Sequence, residues 1–600
     1  MTPSAAPATT SPYRLAEPSG PTPEVRLGGS IRRLAPFAKA ETRYIAVAFV
    51  SALVSSISGL LGPLIIGQTI DTFVRVGDYA GVVRMSVLLL GVYLLGLAFM
   101  YVQTRALGGV GRRVLFAVRS RLFATLQELP LDFFNQNKAG DLISRVNNDT
   151  DKLNQFFAQG LGQLAGNVIM MIGAAAFLLG LHPWLGAVAL APAVAAMLVT
   201  RAVSPWVKRQ NSQSLRSLGG MSAEIQESLS NFKVVVAFGR RDYFRQRFNA
   251  ANERNCEAST RSGVASALFM PIYGLAHNLA QVAVLVYGVS LIAQGRVTIG
   301  VLIGFLLYVN SFYFPMRQFA VVWATFQLAL ASLDRISAVL ALQTNLHVVP
   351  SPPDTVGSPA EPALLSFDGV SFAYPGGTDV LRDVTFALGR GKTYALVGPT
   401  GGGKTTTASL MARLYDPTRG TVRLAGRDIR SYPPAERAAR IGFITQEPFL
   451  FTGTIRENIL YGNDRYRLDS TGQLDAVLAD KGLTALLSRF ADGLDTTVTT
   501  SGESVSLGEK QVIAFVRAVL REPEILVLDE ATANIDTATE HLLQQILDKL
   551  PATTTRVVVA HRLNTIENAD EIFFVNAGAV TPAGSMAHAV EMLLHGKRAS

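Results

Sequence analysis

Six long apolar runs in the N-terminal part of this 600-residue chain constrain its fold more than any other feature. Each comes close to or exceeds the ~20 residues that a helix needs to cross a bilayer, and none contains a run of charges. Six buried helices in a water-soluble protein would not need runs of this length and number. The pattern therefore predicts six transmembrane helices. Their approximate ranges are Tyr44–Ile70, Val83–Tyr101, Phe157–Gly180, Trp184–Val203, Val264–Ala293 and Ile299–Phe326.

Basic residues cluster in two long connections, after the second run and after the fourth. The other connections are short: about a dozen residues, then Leu181-His-Pro183, then a few residues around Arg296. Because positively charged loops stay on the cytoplasmic side, both long connections, both termini and the C-terminal domain are predicted to be cytoplasmic. The basic residues of the two connections are Arg112, Arg113, Arg119, Arg121, Lys138 and Arg145, then Lys208, Arg209, Arg216, Lys233, Arg240, Arg241, Arg245 and Arg247.

The composition favours lipid over nucleic acid as the environment of this chain. Charged residues make up 16% of it and hydrophobic residues 49%, whereas soluble proteins average about a quarter charged. The net charge of +9 lies largely in loops that flank apolar runs, so we expect no nucleic-acid partner. The single cysteine, Cys256, excludes an internal disulfide.

Composition divides the chain into four parts. The Pro-, Ser-, Thr- and Ala-rich segment 1–28 is predicted to be disordered, and it lacks the charged start and apolar core of a signal peptide. A transmembrane domain with two cytoplasmic loops covers 29–342, and a proline-rich linker covers 343–362. Alternating strands and glycine turns are predicted over 363–600, which we expect to form the second domain.

Each long connection contains a segment that mixes apolar residues with polar breaks. In the first, Leu129–Phe134 is followed by Gly140–Asp149, and in the second the segment is Glu224–Phe238. The connections look helical throughout, so we expect the spans to continue as helices into the cytoplasm. Spacing alone indicates only amphipathic helices, although these segments would suit short helices that dock into a groove.

The second domain contains Gly398-Pro-Thr-Gly-Gly-Gly-Lys-Thr405, which matches the phosphate-binding loop. An apolar strand pattern precedes it and a helix pattern follows it, as the motif requires. Glycines let backbone N–H groups approach phosphates, and a helix N-terminus favours anions. Lys404 is expected to reach the β- and γ-phosphates of ATP, and Thr405 to hold Mg²⁺. The predicted nucleotide contacts in this segment are Gly398, Pro399, Thr400, Gly401, Gly402, Gly403, Lys404, Thr405 and Thr406.

Two carboxylates end the apolar run Ile525–Leu528. Asp529 is expected to coordinate Mg²⁺, and Glu530 to act as the general base toward the attacking water. In isolation the pair is equally typical of a strand followed by an acidic helix cap. The phosphate loop in the same domain favours the catalytic interpretation.

Three further residues lie near predicted strand ends in the second domain. His561 is expected to contact the γ-phosphate and hold the attacking water. Gln446 is expected to sense Mg²⁺ and water, and Tyr374 to stack on adenine. Taken alone, each has an ordinary structural explanation as a strand-end histidine, an amide or an exposed aromatic.

Polar residues are few within the predicted spans. His277 and Asn278 lie in the fifth run, and Asn310 and Arg317 lie in the sixth. Such residues rarely face lipid, so they are candidates for a substrate path. Hydrogen bonding between helices is an equally good explanation.

Together these features resemble an ATP-binding-cassette half-transporter of the exporter type, from about Ser30 onward. The resemblance implies a multi-domain fold, with an all-α six-helix transmembrane domain followed by an α/β P-loop NTPase cassette with a helical subdomain. It implies ATP and Mg²⁺ as cofactors and a second half-transporter as partner, with two ATP molecules between the cassettes. The segments in the long connections match the family's coupling helices. The motifs that carry it are the phosphate loop, Gln446, Val505–Glu509, Asp529-Glu530, Ala533–Asp536 and His561.

The family's signature, Leu-Ser-Gly-Gly-Gln, is altered in this chain to Val505-Ser-Leu-Gly-Glu509. The resemblance implies that Ser506 and Gly508 contact the partner's nucleotide and that Asp536 links the two sites. Glu509 puts a negative charge near that nucleotide, where it would repel phosphate. The phosphate loop, Glu530 and His561 are intact while the signature is altered. This combination is similar to that of one chain of a heterodimeric exporter, so a heterodimer is predicted. A homodimer stays open, because a signature Glu also occurs in active cassettes.

The resemblance predicts an ATP-driven exporter of a hydrophobic or amphipathic solute, such as a drug, lipid or peptide, across the bacterial cytoplasmic membrane. The alternatives are a homodimeric lipid exporter, an importer built on the exporter fold, for example for a siderophore, and an ATP-gated channel or regulator. The six spans exclude a soluble cassette protein. No residue identifies the solute.

Overall fold

The computed structural model divides the chain into two compact units. The membrane unit comprises Leu15–Glu128 and Lys138–Leu342, and the cassette unit comprises Met1–Arg14, Leu129–Asn137 and Gln343–Ser600. The short segment Leu129–Asn137 therefore belongs to the cassette unit, a departure from the linear domain division predicted above. The structure describes residues 13–15, 39, 41–344, 346–350, 363–446, 448–463, 471–487, 490, 492–499, 505–529, 537–559, 569–584 and 586–594.

The membrane unit is built from helices, six of which are long and apolar enough to cross a membrane. This confirms the six predicted spans. Three helices have 50, 48 and 42 residues, and at 1.5 Å per residue the longest extends ~75 Å, well beyond the ~30 Å apolar core of a bilayer. The spans therefore continue beyond the membrane as predicted. The helical segments are Thr42–Thr69, Ile70–Val74, Tyr79–Glu128, Ala139–Ser144, Arg145–Asp149, Thr150–Gln155, Phe156–Gly160, Leu161–Leu181, Pro183–Ser230, Phe232–Ala237, Arg241–Ala267, Phe269–Ala293 and Ile299–Leu340.

The first and sixth spans pack with their backbones close together. The buried Tyr308 hydroxyl donates to the Leu60 carbonyl at 2.7 Å. A Cβ atom at Gly300 would come within 2.0 Å of the Gly67 carbonyl oxygen, so only glycine fits there. Small residues at such contacts let membrane helices approach closely. Another buried hydroxyl, that of Tyr313, donates to Ala189 O at 3.0 Å and ties the sixth span to the fourth.

The cassette unit contains a six-stranded sheet, a four-stranded antiparallel sheet and a two-stranded ribbon. The large sheet has the order β12-β11-β3-β10-β9-β6, and its neighbours are parallel except at β11–β12. The four-stranded sheet has the order β2-β1-β4-β5, and the ribbon pairs β7 with β8. The strands are β1 Leu365–Ala373, β2 Asp379–Leu388, β3 Thr393–Val397, β4 Arg419–Leu424, β5 Arg427–Asp428, β6 Ile441–Ile444, β7 Gly453–Thr454, β8 Thr497–Val498, β9 Ile525–Asp529, β10 Thr555–Val559, β11 Glu571–Asn576 and β12 Ala579–Pro582.

Helices complete the cassette unit, and the predicted α/β fold class is confirmed. Three apolar cores form among its described residues: one around the four- and six-stranded sheets, one in the helical part that contains Phe515 and Ile459, and a smaller one that contains Val397 and Phe574. The helical segments are Leu131–Gln136, Lys404–Met411, Ile429–Ser431, Pro434–Arg440, Ile455–Leu460, Thr471–Asp480, Thr484–Leu487, Gly493–Asp495, Leu507–Val519, Thr537–Leu547 and Met586–Leu594.

Tyr13 is buried in the cassette unit, within the segment predicted to be disordered. Its hydroxyl donates to the Gln343 carbonyl at 3.0 Å, and its own carbonyl accepts from Asn137 Nδ2 at 2.8 Å. An isolated aromatic residue in a polar segment can thus anchor the chain locally. The prediction of disorder does not hold at Tyr13, and most of 1–28 lies outside the described residues.

Candidate functional site

The phosphate loop lies between strand β3 and the helix Lys404–Met411. Gly403 has φ +112°, which L side chains rarely adopt, and the helix begins directly after it. A non-glycine residue there would strain the turn. The loop therefore ends on a helix N-terminus, the arrangement that binds phosphate.

Lys404 and Thr405 have the partners expected of a nucleotide site. Lys404 is buried, and its Nζ donates to the carbonyl oxygens of Gly398 at 2.7 Å and Pro399 at 3.0 Å, which holds the ammonium over the loop. The Thr405 hydroxyl donates to Asp529 Oδ1 at 3.1 Å. The structure thus brings together two of the three residues predicted to hold Mg²⁺.

The remaining predicted catalytic residues follow strands that end at the same edge of the sheet. In the parallel register, Val559 of β10 pairs with Asp529 of β9 and with Leu396 of β3, and Ile444 of β6 pairs with Leu528 of β9. Carboxyl ends of parallel strands form the ligand site of open α/β sheets. The exposed Gln446 lies two residues after β6. Glu530 follows Asp529 in the chain, and His561 follows β10; these two residues and Asp536 lie outside the described residues.

Tyr374, predicted to stack on adenine, is held beside the phosphate loop. Its hydroxyl shares a hydrogen bond of 3.1 Å with the Thr406 hydroxyl. Its ring makes edge contacts with Phe372, at 4.9 Å between centroids, and with Tyr415, at 5.4 Å. The ring is therefore fixed on two sides.

Tyr415 connects this aromatic group to the segment Leu129–Asn137, a connection that sequence analysis missed. Its hydroxyl accepts from Asn135 Nδ2 at 2.8 Å, and burial raises the pKa of Tyr415 to about 12, so that the phenol stays neutral. Burial also raises the pKa of the nearby Asp132 carboxyl. The predicted coupling segment is thus one side chain away from the predicted adenine platform, within one compact unit.

The signature residues form the N-terminus of the helix Leu507–Val519. Ser506 caps that helix, and Glu509 Oε2 accepts from both the backbone N–H and the hydroxyl of Ser506, each at 2.8 Å. The carboxylate therefore uses the hydroxyl proton and places a full negative charge at the helix N-terminus. Both features oppose the binding of a phosphate at this surface.

A cavity of about 620 Å³ lies in the membrane unit, among the first, second, third and sixth spans. Of the four residues predicted to line a path, Asn310 lines this cavity, whereas His277, Asn278 and Arg317 do not. The reason is orientation: the His277 ring packs 5.6 Å from the Tyr313 ring, and Arg317 lies over the Phe314 ring. The lining residues are Ala52, Ser55, Ser56, Met100, Gln103, Thr104, Leu107, Ala158, Gln159, Gly162, Gln163, Gly166, Asn167, Met170, Asn310, Ser311, Phe314 and Pro315.

Sequence analysis missed the amides of the third span that line this cavity. Gln159, Gln163 and Asn167 are spaced four residues apart within an apolar run. Such spacing places side chains on one face of a helix, and this periodicity is the signal that would have identified them.

Comparisons with known proteins agree with this geometry. Residues 45–316 match the family described as ABC transporter transmembrane region, and residues 381–533 match the family described as ABC transporter. An uncharacterized ABC transporter ATP-binding protein of Bacillus subtilis, YfiC, is 33% identical over 93% of this chain and 91% of its own length. A fatty acid ABC transporter ATP-binding/permease protein of Mycobacterium bovis is 33% identical over 85% of this chain and 80% of its own length. The ABC multidrug transporter mdr2 of Aspergillus fumigatus is 32% identical over 92% of this chain and 70% of its own length.

The resemblance predicted from the motifs is therefore confirmed. Six spans precede one cassette, so the chain is a multi-pass membrane protein, and its half-transporter architecture implies a dimer. The chain belongs to the ABC transporter family, as an exporter-type half-transporter that couples ATP hydrolysis to transport across a membrane.

Proposed function

We propose that this chain is one half of a pump in the bacterial cytoplasmic membrane that exports a hydrophobic or amphipathic solute. The observation that carries the proposal is the Thr405–Asp529 contact at the edge of a nucleotide sheet, in a chain whose other unit encloses a cavity among its spans. The basic loops support a cytoplasmic location for both termini and the cassette, where ATP is available. The relatives named for fatty acid and multidrug transport support a lipid or a drug as the solute.

ATP and Mg²⁺ fit the residues that the structure brings together. Lys404 and the loop would hold the phosphates, while Thr405, Asp529 and Gln446 would hold the metal, directly or through water. Among the described residues no group of three or more His, Cys, Asp or Glu side chains is placed to hold a metal, which agrees with a Mg²⁺ site that the nucleotide phosphates complete. Mg²⁺, when bound, would neutralise phosphate charge, Glu530 would accept the proton of the attacking water, and His561 would hold the γ-phosphate.

Transport direction tests the export proposal. In inside-out vesicles that contain this chain, we expect ATP-dependent accumulation of a lipophilic dye inside the vesicles, because the cassette faces the outer solution and the cytoplasmic side of the pump faces the bath. A non-hydrolysable ATP analogue serves as the control. ATP-dependent loss of preloaded solute from the vesicles would indicate an importer instead.

We also propose that the chain pairs with a different half-transporter. The support is the Glu509 carboxylate, which occupies the Ser506 hydroxyl and carries a negative charge to the surface where the partner's phosphates would bind. In the resulting dimer this signature completes the weaker ATP site, and the intact loop of this chain belongs to the stronger site.

Purifying the chain alone in lipid tests the pairing. We expect slow ATP turnover without stimulation by solute, and we expect Glu509→Gln to raise turnover about tenfold, because removing a partly screened charge relieves ~1–2 kcal/mol of repulsion. Glu457→Gln is the matched control, since Glu457 caps a helix with Thr454 in the same reciprocal way, away from the signature motif. Robust solute-stimulated turnover by the unsubstituted chain alone would contradict the heterodimer.

A further inference from the structure

The cavity of the membrane unit presents amides from three different spans. Gln159, Gln163 and Asn167 come from the third span, Gln103 from the second and Asn310 from the sixth. Each amide group carries two N–H donors and one carbonyl acceptor. The cavity therefore offers both kinds of hydrogen-bonding group on several sides.

Most of this hydrogen-bonding capacity is available to an occupant. Gln103 Nε2 donates to the Gly162 carbonyl at 3.3 Å, and the side-chain oxygen of Gln103 can still accept a hydrogen bond from an occupant. Within the described part of the chain, the other four amide side chains make no hydrogen bond to protein. Gln159, Gln163 and Asn310 are exposed and Asn167 is half-buried, so all four amides are accessible from the cavity and can bind a polar occupant.

Among the described residues that line the cavity, none is Asp, Glu, Lys, Arg or His. An ionised solute would lose hydration there without gaining an opposite charge, which disfavours its binding. Arg317 is not among the lining residues, and its guanidinium lies over the ring of Phe314, 5.8 Å from the ring centroid. The lining thus favours neutral polar groups over ions of either sign.

Apolar side chains complete the lining and complement the amides. Met100, Leu107, Met170 and Phe314 supply flexible and aromatic surface, and thioether side chains adapt to irregular shapes. A cavity of about 620 Å³ falls within the range that encloses a drug-sized ligand. Its occupant should therefore have an extended apolar part besides its polar head.

We propose that this cavity binds an uncharged amphiphile whose head group both donates and accepts hydrogen bonds, such as a carboxamide, and whose tail is a hydrocarbon. The proposal rests on the proposed export function, because it names the class of solute that this pump carries. The amides of the third span bind the head group, and the methionines and Phe314 contact the tail.

Binding to the full chain in lipid nanodiscs, with its partner where one co-purifies and without ATP, tests the proposal. The probes are oleamide, oleyl sulfate and oleyltrimethylammonium, which share one hydrocarbon tail and carry a neutral, a negative and a positive head. Empty nanodiscs correct for partition into lipid. We expect oleamide to bind at least tenfold more tightly than either ion. Equal or tighter binding of an ion, or failure of all three to bind above empty nanodiscs, overturns the proposal.

Substitutions assign the binding to this cavity. Gln163→Leu and Asn167→Leu are each expected to weaken oleamide binding at least fivefold, whereas Gln327→Leu, at an exposed amide of the sixth helix outside the lining, should leave it unchanged. Gln163→Glu adds one carboxylate and should make oleyltrimethylammonium bind at least tenfold more tightly, a gain that misfolding cannot produce. If the cation gains nothing, position 163 does not contact the head group and the assignment is wrong.

The binding assay and the vesicle assay test the solute class and the export function independently. Oleamide preference without ATP-driven accumulation contradicts export but leaves the site in place. Accumulation of solute by a protein that binds the ions as well as the amide leaves export in place and overturns the class of solute proposed for this cavity.

Discussion

Glu530→Gln is expected to lower the rate of ATP hydrolysis by ~10²–10⁴-fold, the usual contribution of a general base. The amide has the same shape as the carboxylate but cannot accept a proton from the attacking water. ATP affinity should change little, because the loop residues that hold the phosphates are untouched. Phosphate release at saturating Mg²⁺-ATP measures the rate, and binding of a fluorescent nucleotide measures the affinity.

The same strand offers a matched control. Glu524 directly precedes β9, at the end opposite to Asp529, and pairs with Arg390 at 3.1 Å and with Arg440 at 3.4 Å. Glu524→Gln makes the identical chemical change away from the carboxyl edge, and the loss of two partly exposed ion pairs costs little. Hydrolysis should therefore stay within about twofold. Normal turnover by the Glu530→Gln protein would remove Glu530 from the role of base.

Strong, local sequence signals predicted most of the fold. Each span is specified by its own ~20 apolar residues, and the phosphate loop is specified by eight consecutive residues between a strand and a helix. The Thr405–Asp529 contact was predictable because Asp529 ends one parallel strand and the phosphate loop that leads to Thr405 follows another, and the carboxyl ends of both strands share one edge of the sheet. These predictions did not require knowledge of individual side-chain contacts between distant segments.

Contacts between residues that belong to no recognisable motif could not be predicted in this way. Tyr415 meets Asn135 across 280 residues of sequence, and neither residue is unusual in its own segment. The repulsion between Glu509 and phosphate was predicted from the charge of Glu509 alone. Its hydrogen bonds to Ser506 could not be predicted, because they depend on the helix beginning at Leu507. The third-span amides Gln159, Gln163 and Asn167 did carry a periodic signal, but it consists of only three residues over about two turns of an apolar helix.

A buried ion cluster in the membrane unit has the largest expected effect on stability. The side chain of Asp149 is only 2% exposed and pairs with Arg335, whose side chain is 33% exposed. The same carboxylate accepts from the Ser332 hydroxyl at 3.2 Å and lies 3.5 Å from Lys152 Nζ. This cluster joins the helical segment that precedes the third span to the end of the sixth helix beyond its apolar run.

Asp149→Ala is expected to lower the free energy of unfolding by ~3 kcal/mol, since breaking a buried pair leaves an uncompensated charge at a cost of ~3–5 kcal/mol. The lower end applies because Arg335 is partly exposed and can be hydrated. Titration with SDS in mixed micelles, with the folded fraction followed by tryptophan fluorescence, measures the change.

Two further variants separate burial from charge in this prediction. Asp242→Ala removes the same carboxylate from a pair with Arg245 whose side chains are 79% and 75% exposed, so stability should not change measurably. Asp149→Leu combined with Arg335→Met replaces both charges by apolar groups and should recover most of the loss, because an apolar pair of similar volume often replaces a buried ion pair without cost. An Asp149→Ala protein as stable as the Asp242→Ala protein would mean that the cluster is hydrated and contributes no more than a surface pair. Recovery in the double variant would instead locate the cost of Asp149→Ala in the charges left behind, and not in the space that the carboxylate filled.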